Sequence, residues 1–233
     1  MSEDLELLRE RFITIVNNSQ TLAFIARDTS LQNEAISQSA EFGAELEASK
    51  AIAAASNDEA TANEVLLMEL ALGSVASQLK MCVAIKEEEA EKAWDYLVDA
   101  QTSCQAAIKV RRQLDSGPGA SNLEQLLAWL LQIEAAVFPQ QAFLSIGGTV
   151  RRRDCSICGG AYDACEHVKG RAYMGRLCHT IISEMSLAEV SLVDNPANKR
   201  ARVTHFSDGE KRRNKMTWRL EEPSHTPLNS HST

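Results

Sequence analysis

The stretch Cys155-Ser-Ile-Cys-Gly-Gly-Ala-Tyr-Asp-Ala-Cys-Glu-His-Val-Lys-Gly-Arg-Ala-Tyr-Met-Gly-Arg-Leu-Cys178 decides the fold of the C-terminal third of this chain. It opens with a Cys-x2-Cys pair, Cys155 and Cys158, and Gly159-Gly160 supplies the positive φ that a tight turn needs. Such a turn presents both thiolates to one metal ion. A second pair, Cys165-x-His167, follows seven residues after Cys158 and completes a tetrahedral donor set. The spacing therefore predicts a structural metal site.

Zinc suits this donor set, because it accepts thiolate and imidazole without a geometric penalty. The predicted ligands are Cys155, Cys158, Cys165 and, for the fourth position, His167 or Cys178. His179 is the weakest candidate, because its neighbour Cys178 competes for the same space. Disulfides are the alternative, although an intracellular chain argues against them. A filled site leaves no position for water, which disfavours catalysis by the metal.

The first half of the chain predicts an acidic helical bundle over residues 1–138. Ala, Leu, Glu and Gln are plentiful, and these residues lose little rotamer freedom in a helix. Asp28-Thr29-Ser30 and Asn57-Asp58-Glu59 are each typical of a helix N-terminus. The segment from Val65 to Ile85 is apolar almost all round, so we expect it to be the central helix. Cys82 and Cys104 lie on apolar helix faces and are predicted to be core residues.

Three further signals delimit the last helix of the bundle. Ser116-Gly117-Pro118-Gly119 predicts a turn, and Ser121-Asn122-Leu123-Glu124 matches a capping box that opens a fifth helix. Pro139 ends that helix. An antiparallel bundle of four or five helices accommodates this pattern.

Beyond Phe138 the composition predicts a small α+β module over residues 139–206 and a basic, flexible tail over 207–233. The run from Phe143 to Gly148 is typical of a strand that enters a turn. Glu189–Val193 predicts a second strand, which Asn195-Pro196 ends. The predicted fold is therefore mainly α, with a helical bundle followed by a small zinc-bound α+β module.

Charge divides the chain in the same way. Residues 1–150 carry 10 Lys and Arg against 22 Asp and Glu, a net charge of −12, whereas residues 151–233 carry 14 against 10, a net of +4. The N-terminus is acidic and has no apolar signal region, so we expect a protein that is not secreted. No run of about 18 consecutive apolar residues occurs, which predicts no membrane span.

The second strand also carries a family resemblance. Glu189-Val-Ser-Leu-Val-Asp-Asn-Pro-Ala-Asn198, with Ala201 and Val203, resembles a strand and turn of tailed-phage prohead proteases and related phage head proteins. Leu144-Ser145-Ile146-Gly147 is similar to the nucleophile strand of that group. The cysteine-rich segment between them, with Tyr162, Gly170, Tyr173 and Gly175, is similar to an insert in some phage proteins of this kind. The resemblance covers about residues 143–204.

The resemblance implies a head-assembly module of a tailed phage, located in the virion or the host cytoplasm. It also implies that Ser145 would be the nucleophile of an active protease and Glu189 the residue that orients a histidine. In the family that histidine precedes the serine strand, but this chain has none before His167. An active site would have to use His205 or a histidine from another subunit, since serine needs an adjacent base. We therefore expect a protease-like module without catalysis.

Three kinds of partner follow from these expectations. A virion protein would bind capsid, portal or scaffold proteins and form homo-oligomers. Alternatively, basic clusters beside the cysteines could contact DNA phosphates. The predicted contact residues are Arg151, Arg152, Arg153, Lys211, Arg212 and Arg213, and a further cluster spans 199–202. The sequence contains no two-Cys, two-His finger with a recognition helix, which disfavours base-specific binding.

Overall fold

The computed structural model describes residues 3–25, 28–114 and 119–222. Five helices form the N-terminal bundle of this described part: α1 (Glu3–Ile25), α2 (Thr29–Ala55), α3 (Glu59–Lys86), α4 (Ala90–Leu114) and α5 (Gly119–Val137). The strands that follow are β1 (Phe143–Cys155), β2 (Ala172–Tyr173), β3 (Arg176–Leu177), β4 (Thr180–Val193), β5 (His205–Asp208), β6 (Lys211–Asn214) and β7 (Leu220–Glu221). The predicted class, mainly α with a small strand-containing C-terminal module, is confirmed.

The helix starts follow the capping chemistry of the sequence. The Asp28 carboxylate accepts a hydrogen bond from the Ser30 N–H at 2.8 Å, and α2 begins at Thr29. The Asp58 carboxylate accepts one from the Thr61 N–H at 3.1 Å, immediately before α3. Both interactions satisfy N–H groups that a helix N-terminus leaves unpaired. The α5 helix instead begins at Gly119, two residues before the predicted capping box, and residues 115–118 of the predicted turn lie outside the described part.

The α3 helix is the centre of the bundle, as its sequence predicts. It contacts α1, α2 and α4. One core cluster, which includes Phe42, Leu46 and Val65, joins α1, α2 and α3. A second joins α3, α4 and α5 around Trp94 and Leu97. By length and composition α3 could also cross a membrane, yet 61% of its most apolar window is buried among its neighbours, as expected for the core helix of a bundle.

Strands β1 and β4 form a long antiparallel ribbon that differs from the predicted turn at Gly147-Gly148. β1 continues through these glycines to Cys155, and the register shifts between Gly147 and Gly148. The physical reason is close approach of the two backbones: a Cβ on Gly148 would overlap the carbonyl oxygen of Ser186. The glycines therefore mark a β-bulge rather than a turn.

The segment after residue 204 also differs from the predicted flexible tail. Strands β5, β6 and β7 form a three-stranded antiparallel sheet over residues 205–221, while 223–233 lie outside the described part. Ion pairs across and beside these strands neutralise the charges that suggest disorder in the sequence, for example Arg213 with Asp208 at 2.6 Å. Asn214 is buried, and its carboxamide accepts hydrogen bonds from the backbone of Met216 and Thr217.

Candidate metal centre

The cysteine-rich segment is the connection between the far ends of β1 and β4. Cys155 is the last residue of β1, and Cys178 lies two residues before β4. Two backbone hydrogen bonds, both 2.8 Å long, close the first turn of the cysteine-rich segment. The Gly159 N–H donates to the Cys155 carbonyl, and the Cys155 N–H donates to the Gly160 carbonyl. Gly159 has a φ of 72°. The glycine that the sequence places after Cys158 therefore adopts the left-handed conformation that the turn requires.

Four predicted ligands converge at this turn. The Sγ atoms of Cys155, Cys158 and Cys165 and a ring nitrogen of His167 all lie within 4.8 Å of one another, so together they could hold a metal ion. The Ile157 N–H points at the Cys155 Sγ, 3.4 Å away. Backbone N–H groups aimed at sulfur stabilise a thiolate, which is the form that binds a metal.

Cys178 is not part of this mutually close set, but it lies beside it. Its Sγ atom is 3.9 Å from that of Cys155, and both side chains are buried. A disulfide has sulfurs about 2.0 Å apart, whereas two thiolates on one tetrahedral zinc ion are separated by about 3.7 Å. All six cysteines are free thiols. The segment thus offers five donor side chains for the four positions of a tetrahedral site.

His167 provides an independent test of fit. Its Nδ1 atom is buried and has no hydrogen-bond partner among the described residues. The ring packs edge-on against Tyr173, with centroids 4.7 Å apart. The Tyr173 hydroxyl in turn accepts a hydrogen bond from the Val168 N–H at 2.9 Å. A buried ring nitrogen without a partner costs free energy, and a metal ion would remove that cost.

The cysteine thiols differ in acidity. Burial opposes ionisation of Cys155, but hydrogen bonds from the backbone of Cys158 and Ile157 outweigh it and lower the pKa of Cys155 to about 6. Burial and the neighbouring Cys155 raise the pKa of Cys178 to about 11. Burial also raises the pKa of Cys165. The Cys155 thiol is thus easier to ionise than those of Cys165 and Cys178. Several thiolates close together need a positive ion between them.

Two polar side chains of the bundle hold this segment in place. Asn63 on α3 accepts a hydrogen bond from the Gly175 N–H at 2.8 Å. Gln113 on α4 accepts one from the Ala172 N–H at 2.8 Å and donates one to the Gly170 carbonyl at 3.0 Å. Neither residue is predicted by the motif, because each lies on a helix far from the cysteines in sequence. No signal in the local sequence marks either residue, since α3 also buries Ser74 and Gln78.

The opposite end of the ribbon is anchored separately. Phe143 packs on Trp94 of α4 with ring centroids 6.1 Å apart, and the Trp94 indole N–H donates to the Lys199 carbonyl at 3.1 Å. Arg202 has a side chain only 4% exposed, lies over the same ring at 5.6 Å, and pairs with Glu91. The ribbon is thus fixed to the bundle at both ends.

The residues of the possible serine-protease site are spread along the module. Ser145 lies opposite Ser191 in the ribbon, and Glu189 lies opposite Gly147. His205 begins β5, where its Nε2 atom is 3.0 Å from a Glu221 carboxylate oxygen and its Nδ1 atom 3.0 Å from the Thr204 hydroxyl. Among the described residues, no hydrogen bond joins Ser145, Glu189 and His205. The acidic partner of this histidine is Glu221, a residue that the family resemblance does not indicate.

The basic clusters are largely neutralised. All six arginines and lysines expected at a DNA interface form ion pairs: Arg151 with Glu184, Arg152 with Asp154, Arg153 with Asp163, Lys211 with Glu222, Arg212 with Glu221 and Arg213 with Asp208. Such pairing reduces the positive charge available to phosphates.

Comparison with known proteins finds no matching family model, no matching curated protein and no matching solved structure.

Proposed function

We propose that this chain is a non-catalytic phage virion or head-assembly protein, a structural adaptor whose C-terminal module is stabilised by zinc. The observation that carries the adaptor role is the convergence of Cys155, Cys158, Cys165 and His167 on one point in a segment that docks on the bundle. Four protein ligands fill a tetrahedral zinc site, so the metal would stabilise the fold rather than activate water. The placement in a tailed-phage particle rests on the resemblance of residues 189–198.

The proposed ligand set is Cys155, Cys158, Cys165 and His167, with Cys178 in contact with the set rather than in it. The unpartnered Nδ1 atom of His167 supports this choice. Thiolate and imidazole ligands favour zinc over magnesium or calcium. The ion would connect β1 to the segment that Asn63 and Gln113 hold against the bundle.

The test is to purify the full chain and measure bound metals by elemental mass spectrometry and oligomeric mass by light scattering, with and without a strong chelator. We expect one zinc per chain, and a lower melting temperature after chelation because metal binding is folding free energy. Cys158→Ala should abolish stoichiometric zinc binding. His167→Ala should weaken zinc binding more than Cys178→Ala does. Cys82→Ala, which removes a buried core thiol, is the matched control. A chain that purifies without metal and has the same melting temperature with and without the chelator would contradict the proposal.

A further inference from the structure

The ribbon of β1 and β4 has its apolar face on the outside. Leu144 pairs with Leu192, Ile146 with Val190, and Gly148 with Leu187. Paired residues of an antiparallel ribbon share a face, and alternate residues along each strand return to it. Val150, opposite Met185, extends the same face. We call this set of residues the apolar ribbon face: Leu144, Ile146, Val150, Met185, Leu187, Val190 and Leu192.

The other face of the ribbon is mostly polar, and only its first pair packs on the bundle. It begins with Phe143 and Val193, which belong to the core around Trp94. It continues with Ser145 opposite Ser191 and with Thr149 opposite Ser186. Thr149 and Ser186 are exposed, so beyond its first pair the polar face does not pack on the bundle. A ribbon that folded against its own bundle along its length would bury its apolar residues instead. The outward apolar face is therefore unexplained by the folding of one chain.

The exposure of this face is large. Ile146, Leu187, Val190 and Leu192 are 64%, 63%, 57% and 69% exposed, and Leu144 and Val150 are each 38% exposed. A fully exposed aliphatic residue offers about 150–200 Å², so these six present about 600 Å², the upper end of the largest apolar patches on monomers. A standard interface buries about 800 Å² per partner. The apolar face alone thus supplies roughly three quarters of the area that a standard interface buries.

We propose that the apolar ribbon face binds the same face of a second copy of this chain. The face contains no charged, hydroxyl or amide side chain, so nothing on it selects a charged or polar partner. A two-fold axis brings the same face of two copies together, so that each residue of one copy contacts the neighbours of the equivalent residue in the other. An aliphatic face is complementary to itself in such an arrangement. Two ribbons packed in this way would lie about 10 Å apart, as sheets do in a β-sandwich. A ribbon of two strands is marginal alone, and the second copy supplies the missing layer.

The test measures self-association of the full chain by sedimentation equilibrium. We expect a dimer, and at least a tenfold rise in its dissociation constant for the double variant Ile146→Thr with Val190→Thr, which keeps β-branched residues in the strands. Ile146→Glu should raise the constant further, because a charge would be buried without a partner. Thr149→Glu, on the opposite face of the same ribbon, is the matched control and should dimerise like the wild type.

Metal content and circular dichroism of each variant separate this inference from the proposed zinc function. A variant that dissociates while it retains its metal and helical signal supports the apolar ribbon face. A wild-type dimer without metal would overturn the zinc proposal and leave this one intact. A wild-type chain that stays monomeric at about 100 μM would overturn the dimer proposal, because this concentration lies well above the dissociation constants of specific interfaces. The apolar ribbon face would then belong to an interface with a different protein. A dimer that Ile146→Glu does not weaken would also overturn the dimer proposal.

Discussion

Trp94→Ala tests whether the C-terminal module and the bundle are energetically one unit. Trp94 is 1% exposed and packs edge-on against Phe138 with centroids 5.5 Å apart, in addition to its contacts with Phe143 and Arg202. Truncation of a buried tryptophan to alanine costs about 3–5 kcal/mol, because it removes apolar contacts and leaves a cavity. The Lys199 carbonyl also loses its indole donor. We expect the free energy of unfolding to fall by about 4 kcal/mol.

The assay is urea unfolding followed by circular dichroism, with calorimetry on the same samples. For a chain of this size each kcal/mol shifts the melting temperature by about 2–4 °C, so a fall of about 8–16 °C is expected. Trp129→Ala is the matched control, since Trp129 is 47% exposed beside an open groove. Its effect should stay below about 1 kcal/mol. If Trp94→Ala costs no more than Trp129→Ala, the indole does not couple the module to the bundle.

Three further predictions concern other contacts. Gly148→Ala should cost about 1–3 kcal/mol because its Cβ would overlap the β4 backbone, whereas Gly147→Ala meets only a flexible carboxylate side chain and should cost less in the same urea titration. Asn63→Ala leaves the Gly175 N–H buried without an acceptor, so thermal unfolding should show a loss of about 1–3 kcal/mol, and an unchanged melting temperature would refute that contact. Burial opposes ionisation of Glu221, but its histidine partner outweighs this and lowers the pKa of Glu221. The ionised Glu221 carboxylate stabilises the fold at pH values above the ordinary carboxyl pKa. This stabilisation is lost as the pH falls through the lowered pKa of the folded state. Glu221→Gln should therefore reduce the melting temperature at neutral pH, and the two melting temperatures should converge in acid.

The parts of the structure that local chemistry determines could be predicted from the sequence. Asp28 and Asp58 precede helical segments and cap them, because a capping interaction involves residues two or three positions apart. The convergence of Cys155, Cys158 and Cys165 follows in the same way from their spacing and the adjacent glycines. The fourth ligand could not be chosen by spacing, since only the structure shows that His167 joins the mutually close set while Cys178 lies beside it.

The parts that depend on distant partners could not be predicted. The many charged residues of 207–222 suggest a flexible tail, because the sequence does not show which opposite charges will pair with them. Asp208-Gly209, however, is a hairpin signal that could have indicated β5 and β6. Asn63 and Gln113 contact the metal segment from helices more than fifty residues away, and no local pattern marks them. Gly147-Gly148 is ambiguous between a turn and a bulge until the opposite strand is known.

The anchoring of the module at α4 also determines the order in which the protein can be assembled during translation. Trp94 and the Lys199 carbonyl are 105 residues apart in the chain. At about 5–20 residues per second, a ribosome needs roughly 5–20 s to bridge that distance. Throughout this interval the helices can associate through contacts between neighbours in sequence, while the indole N–H lacks its acceptor and the ring lacks Arg202. A nascent chain released before residue 199 would therefore carry a bundle whose Trp94 is only partly covered, and partly covered aromatic surface favours chaperone binding and aggregation.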